Sequence, residues 1–294
     1  MKKSLLMLPI FTVVLAASAL IIGCEQRNES VNEEVVEEET VVVEETEPSP
    51  EPTAPAHEVK IETGERSPAF PGAKTRFTSL KDGDVLEDPN VSVVLNVESY
   101  QLGVQTDTDR AKEIANSEKG QHAHIILDND PYMADYEAGK PFEIGVLEEG
   151  PHTLVVFPSR SYHESVKSSE AAQIVNFYVG KEAGEFMLDN TKPTIIYSRP
   201  KGEYKGDDSK KIMLDFYLNN VELGDDGYKA KYTITRKDSD DQLGTITMTE
   251  WTPAFVTGLT SGEYVITLQL LDKDGNVVEG SFNNTERVIT VETE

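Results

Sequence analysis

The 294-residue sequence is short of three things: cysteine (one), tryptophan (one) and basic charge (27 Lys and Arg against 53 Asp and Glu). A lone cysteine, Cys24, leaves none for a disulfide, a thiolate metal site or a catalytic nucleophile once it is otherwise engaged. A formal charge of −26 repels phosphate, so nucleic acid is excluded as a partner. It also repels an anionic lipid surface, unless a covalent link holds the chain there. Catalytic signatures are missing too: no Gly-x-Ser-x-Gly, no phosphate-cradling glycine loop and no His-Glu-x-x-His. Ser161 and His163 stand two apart, but no Asp partner can be placed for them. The chain therefore reads as a non-enzyme. Helical periodicity is nearly absent, with only Thr108 to Ser117 suited to a short helix.

What is present begins at the N-terminus. Lys2 and Lys3 precede an apolar run from Ser4 to Gly23, and "IIGC" closes it at Cys24. A run of about 20 residues is long enough to span a bilayer. The acidic sequence that follows at once, without a Lys/Arg flank, favours a cleaved signal over residues 1–23. "IIGC" resembles the lipobox of bacterial lipoproteins, which implies acylation of Cys24 and anchoring in the lipid bilayer. Two or more acyl chains, at about 0.8 kcal/mol per buried methylene, make such an anchor stable.

From Glu25 to Glu58 there are twelve Glu against one Arg, with prolines at 48, 50, 52 and 55. Self-repulsion and proline stiffness keep such a segment extended, so residues 24–62 read as a disordered tether.

The remainder alternates β-branched and aromatic runs with Gly, Asp and Asn clusters, among them "NVSVVLNV", "HAHIILD", "HTLVVF", "KIMLDFYL", "KYTITRK" and "EYVITLQLL". Many short strands with frequent turns predict an all-β chain of antiparallel sandwiches. An internal repeat divides it: "PFEIGVLEEGPHTLVV" (141–156) aligns without gaps on "PAFVTGLTSGEYVITL" (253–268). Two tandem immunoglobulin-like domains are expected, over 63–182 and 189–294. "LDKDGN" near Asp272 reads as a tight turn, because it lacks the glutamate and flanking helices of a calcium loop.

The repeat also orients the histidines. Gly120 aligns on Gly227, placing "HAHIILD" over "KAKYTIT". Ala230, Tyr232 and Ile234 alternate with Lys229, Lys231 and Thr233, and lysine is rarely buried. Ala123, Ile125 and Leu127 should then face the core, with His122 and His124 together on an accessible face. His152 falls on Tyr264, in phase with core residues, and reads as a corner residue bonded to a loop. His163, in "FPSRSYHESVK", is a loop candidate for a third ligand. A Zn²⁺ site needs about four ligands, or three plus water. His122, His124 and His163 are accordingly the candidate metal ligands, with copper or zinc as the ion, and affinity should collapse below about pH 6 as imidazole protonates.

The lipobox, acidic tether, tandem sandwiches, "GQHAHIILDNDPY" and "FPSRSYHESVK" together resemble a group of uncharacterised bacterial envelope lipoproteins. That resemblance implies an immunoglobulin-like fold and an extracytoplasmic, membrane-anchored location, but no activity. Glu25 after the cysteine favours the outer membrane where one exists. The first expectation for function is a non-catalytic binding module without a cofactor. It would present His122, His124, Arg160, Tyr162 and His163, with the loops 103–120 and 157–170, to a protein, glycan or envelope polymer. The alternative is envelope copper or zinc handling. The second domain, with Lys229 and Lys231 at the equivalent place, reads as a spacer or partner-docking domain.

Overall fold

Every β-branched run named above lies in a strand of the computed structural model, which describes residues 58–239 and 241–294. Cys24, the signal segment and the tether up to residue 57 lie outside the described residues. After β1 (Lys60–Thr63) come β2 (Lys74–Phe77), β3 (Val85–Leu86), β4 (Asn90–Glu98), β5 (His122–Leu127), β6 (Met133–Asp135), β7 (Pro141–Val146), β8 (Gly150–Ser159) and β9 (Gln173–Val179). The second set is β10 (Thr194–Arg199), β11 (Gly202–Lys205), β12 (Lys211–Asn219), β13 (Lys229–Arg236), β14 (Gln242–Met248), β15 (Ala254–Thr257), β16 (Gly262–Leu271) and β17 (Asn284–Glu292).

The two sets are one topology used twice. Sheets β2-β4-β7 and β3-β9-β8-β5-β6 correspond strand for strand to β10-β12-β15 and β11-β17-β16-β13-β14. In each copy one short strand runs parallel to the last (β3 with β9, β11 with β17) and every other pair is antiparallel. These are immunoglobulin-like sandwiches, each with its own core. Val93, Leu95, Ile125, Val156 and Phe177 fill the first; Leu214, Phe216, Tyr232, Ile266 and Leu268 fill the second. The repeat extends to the corner: His152 Nε2–H donates to Glu148 O at 2.9 Å, and Tyr264 O–H to Thr260 O at 2.6 Å, each four residues back.

Two boundaries differ from the sequence reading. β1 belongs to the second sandwich, pairing antiparallel with β15 from Lys60↔Thr257 to Thr63↔Ala254. The last residues assigned to the tether, and the first assigned to the first domain, thus form a strand that covers the free edge of β15 and packs Ile61 on the second core. The expected helix over 108–117 shrinks to a 3-10 turn at Asp109–Lys112.

The sandwiches also bury a face against each other. The sheet carrying β5 and β8 lays Ile126, Val155 and Phe157 against Ile196 of β10 and Tyr217 of β12. Phe157 stacks on Tyr217 with ring centroids 4.9 Å apart. Lys167 forms an ion pair with Asp215 across this seam, both side chains being buried, and Ser165 N–H donates to the same carboxylate at 2.9 Å. Removing one partner of a buried pair strands the other charge. Lys167→Ala is therefore expected to lower the unfolding free energy by about 3–5 kcal/mol. Denaturant unfolding checks this, and Lys167→Met combined with Asp215→Leu should recover much of the loss.

Candidate metal centre

The site begins with register. β5 pairs with β8 so that His122 faces Ser159 and His124 faces Phe157. This matches the pairing of Lys229 with Leu271 and Lys231 with Gln269 in the second copy. Alternation puts Ala123 and Ile125 in the first core and His122, His124 and Ile126 on the opposite face. The chain leaving β8 then doubles back: Arg160 N–H donates to Glu164 O and His163 N–H to Arg160 O, both at 2.9 Å. His163 takes a left-handed conformation, φ 69°, in this turn. Such a backbone is uncommon outside glycine, and histidine is among the residues enriched in it. Because His122 sits beside Ser159, the turn delivers His163 over the β5 histidines.

Three imidazole nitrogens converge there. His122 Nε2 lies 3.0 Å from His124 Nε2 and 3.1 Å from His163 Nδ1, and all three lie within 4.8 Å of one another. Four-coordinate zinc at about 2.0–2.1 Å separates its nitrogens by roughly 3.3 Å. Two of the separations are thus within a few tenths of an ångström of what an ion requires.

The surroundings fix ring orientation. His122 Nδ1 is 2.8 Å from Gly120 O. A carbonyl only accepts, so Nδ1 carries the proton and Nε2 presents its lone pair inward. His124 Nδ1 is held 3.2 Å from Ser198 Oγ on β10, and the Tyr132 ring stacks on His124 at 3.4 Å. Tyr132 Oη lies 3.1 Å from His163 Nδ1. Gly120 O and Ser198 Oγ, on the nitrogens turned away from the cluster, are outer partners of the kind that set the basicity and aim of ligating imidazoles. Gly120 is constrained in turn: its φ is 87°, and a Cβ there would lie 2.4 Å from Val104 O. Without an ion, His122 Nε2 has one lone pair and two ring nitrogens at hydrogen-bonding distance. A single ion among the three satisfies all of them.

Electrostatics keep the rings neutral. Burial pushes His122 down to about 4, and holds His124 and His163 well below the ordinary histidine range. Arg199 and Lys201 add to this from beside Tyr132, with Lys201 Nζ 3.9 Å from its ring centroid. Burial, and then Arg199, press Lys201 itself down to about 8.

Several expectations change here. The histidine face is not accessible: His122 and His124 are fully buried, because the second sandwich and the 160–165 turn cover it. Arg160 and Tyr162 are largely buried and tied by hydrogen bonds, although both reach the wall of the groove described below. Arg160 donates to Ser165 O and Pro68 O, and the Tyr162 hydroxyl lies 2.9 Å from Ser67 Oγ. Ser161 Oγ accepts from Thr106 N–H, and the nitrogens around His163 are those of the site above. Glu164, which its place beside His163 in the sequence makes a candidate contributor to the site, instead holds the turn by accepting from Ser67 at 2.6 Å and Arg110 at 2.9 Å. Parts of loops 103–120 and 157–170 do line an open groove of about 660 Å³ with Phe70 and Tyr100.

No protein-family model and no curated protein matches the chain. Among solved structures it is similar to the fibronectin(III)-like modules of CbhA from Clostridium thermocellum, at 12% identity over 74% of this chain and 94% of that one, TM-score 0.25. The BSP domain of a biofilm-associated protein shares 18% identity over 74% of this chain and 29% of that one, TM-score 0.23. SGBP-B of Bacteroides ovatus, solved with a mixed-linkage heptasaccharide, shares 14% over 74% of this chain and 47% of that one, TM-score 0.20. These scores assign neither family nor ligand. The fold rests on the strand order, and the site on its geometry.

Burial of neutral imidazoles has a pH signature. Between about pH 4 and 6.5 the unfolded chain binds more protons at these histidines than the folded one, so stability falls as pH falls through that window. The slope reaches about 1.4 kcal/mol per pH unit for each histidine involved. Denaturant midpoints at about pH 7 and about pH 5 should show the loss, and His122→Gln should reduce it.

Proposed function

We propose that this chain is a lipid-anchored, non-catalytic envelope protein whose folded part binds one metal ion through His122, His124 and His163. The observation that carries this reading is the convergence of three neutral imidazole nitrogens, one of them with its tautomer set by a backbone carbonyl. The ion is copper or zinc, both of which suit imidazole. Anchoring through an acylated Cys24, behind an acidic tether, would hold the site outside the membrane surface. Metal is then bound and held, or passed on, within the envelope. The reading is supported by geometry that a surface histidine pair would not need: three rings on two elements, with His122 and His124 each held through the other ring nitrogen.

The metal reading replaces loop-borne polymer binding as the first choice because the 160–165 turn brings His163 to the two β5 histidines. The groove beside Phe70 and Tyr100 leaves a second reading, a polymer or peptide ligand at that surface.

Two features follow for a metal titration. The loss of affinity on acidification, expected near pH 6 for solvated imidazoles, moves toward the depressed value of His122, about 4. Calorimetry on the mature chain carrying Cys24→Ser should show one ion bound per chain, at micromolar or tighter affinity. Binding should persist at about pH 5.5 and be lost in His124→Phe. Gly120→Ala should weaken it by about 10–100-fold through the displaced carbonyl behind His122. Retention of full affinity in His124→Phe would remove the site from consideration.

A further inference from the structure

We infer that the three-histidine centre is selective for monovalent copper over divalent zinc. The inference rests on the metal-binding reading above and names the ion that site would take.

The first ground is charge. The three donors are neutral, and no carboxylate or thiolate joins them among the described residues. The charged side chains beside the site are Arg199 and Lys201, both cations, ranged around Tyr132. Lys201 is further fixed by donating to Tyr132 O at 2.6 Å. Arg199 donates to the Tyr204 hydroxyl at 2.9 Å, so it too is tied in place. The nearby buried carboxylate, Asp215, is occupied by Lys167 across the seam. An ion entering here meets that fixed positive charge, and among the described residues no free carboxylate offsets it at the three nitrogens: Glu164, next to His163, is taken up by Ser67 and Arg110. The repulsion scales with the charge of the ion, so a divalent cation suffers twice what a monovalent one does. Burial adds to the difference, because the cost of removing an ion from water also rises steeply with its charge.

The second ground is coordination number. Zinc in proteins takes four ligands, or three and a water. The nearest candidate for a fourth is the hydroxyl of Tyr132, which already lies 3.1 Å from His163 Nδ1. A cavity of about 10 Å³ adjoins His163, lined also by Arg199, Tyr204 and Met213. That is the lower limit for a single water. Three neutral nitrogens with little room for a fourth donor suit a monovalent d¹⁰ ion. They leave zinc short by one ligand.

The test uses the mature chain with Cys24→Ser, which also removes the thiol that would compete for copper. Cu(I) is titrated anaerobically against a chromogenic Cu(I) chelator, and Zn²⁺ against a fluorescent zinc indicator, at about pH 7. The wild-type site is compared with Lys201→Gln and His124→Phe. One Cu(I) per chain is expected, bound more tightly than Zn²⁺ and lost in His124→Phe. A unit charge at roughly 10 Å, in an effective dielectric of about 20, shifts binding on the order of tenfold per elementary charge of the ion. Lys201→Gln should therefore improve Zn²⁺ affinity about tenfold more than it improves Cu(I) affinity. Zinc bound more tightly than Cu(I), and lost in His124→Phe, overturns the copper assignment while the metal-binding reading stands. Equal gains for the two ions in Lys201→Gln overturn the charge argument and the assignment with it. Failure of both ions to bind overturns the copper assignment and the metal-binding reading together.

Discussion

A sheet that is apolar on both faces has to be covered twice, and the arrangement of this protein follows from that constraint. The five-stranded sheet of the first sandwich turns Ala123, Ile125, Leu154 and Val156 into its own core and Ile126, Val155 and Phe157 the other way. Left in water, the second set would form an exposed apolar patch beside two histidines. The second sandwich supplies the cover with β10 and β12, themselves buried on both faces. The seam is then locked by polar groups, Lys167 on Asp215 and Ser165 on both Asp215 and Phe216 O. Once the seam is closed, His122 and His124 are fully buried, and His163 beside them is partly exposed. Among the described residues, the polar atoms at hydrogen-bonding distance of the His122 and His124 ring nitrogens belong to one another, His163, Gly120 and Ser198.

Much of this was legible. Strand positions followed from β-branched runs, and the gapless match of 141–156 on 253–268 returned as identical sheet orders. Alternation along β5 was correct as to which residues share a face. The fate of that face was misread, because the second copy's lysines served as the guide. Lys231 and Thr233 are paired with Gln269 and Thr267, a polar surface. At the same places the first copy pairs His124 and Ile126 with Phe157 and Val155. That apolar substitution was visible and signals a buried face. The crossing of β1 into the second sandwich was not visible, because a four-residue strand at the end of an acidic segment has no periodicity to read. Nor was the turn at 160–165, whose shape depends on Glu164 reaching Ser67 and Arg110, distant in sequence.

The chemistry of the centre comes from the docking of the two sandwiches. Exposed, a pair of histidines two residues apart would exchange protons with solvent and bind metals weakly. Sealed under the second sandwich, the rings stay neutral, are aimed by fixed partners, and sit beside Arg199 and Lys201, which repel added positive charge. Each of these features raises the demand on what can enter. Together they describe a buried three-nitrogen cluster in the seam between the sandwiches, the geometry on which the proposed binding of one small cation rests.

X-ray absorption fine structure at the metal edge, recorded on the mature chain loaded with one equivalent of ion, tests the central claim most directly. The account predicts a first shell of nitrogen only, with multiple scattering from three imidazoles and its loss in His163→Ala. A first shell dominated by carboxylate or water oxygen, or one unchanged in that variant, would contradict it.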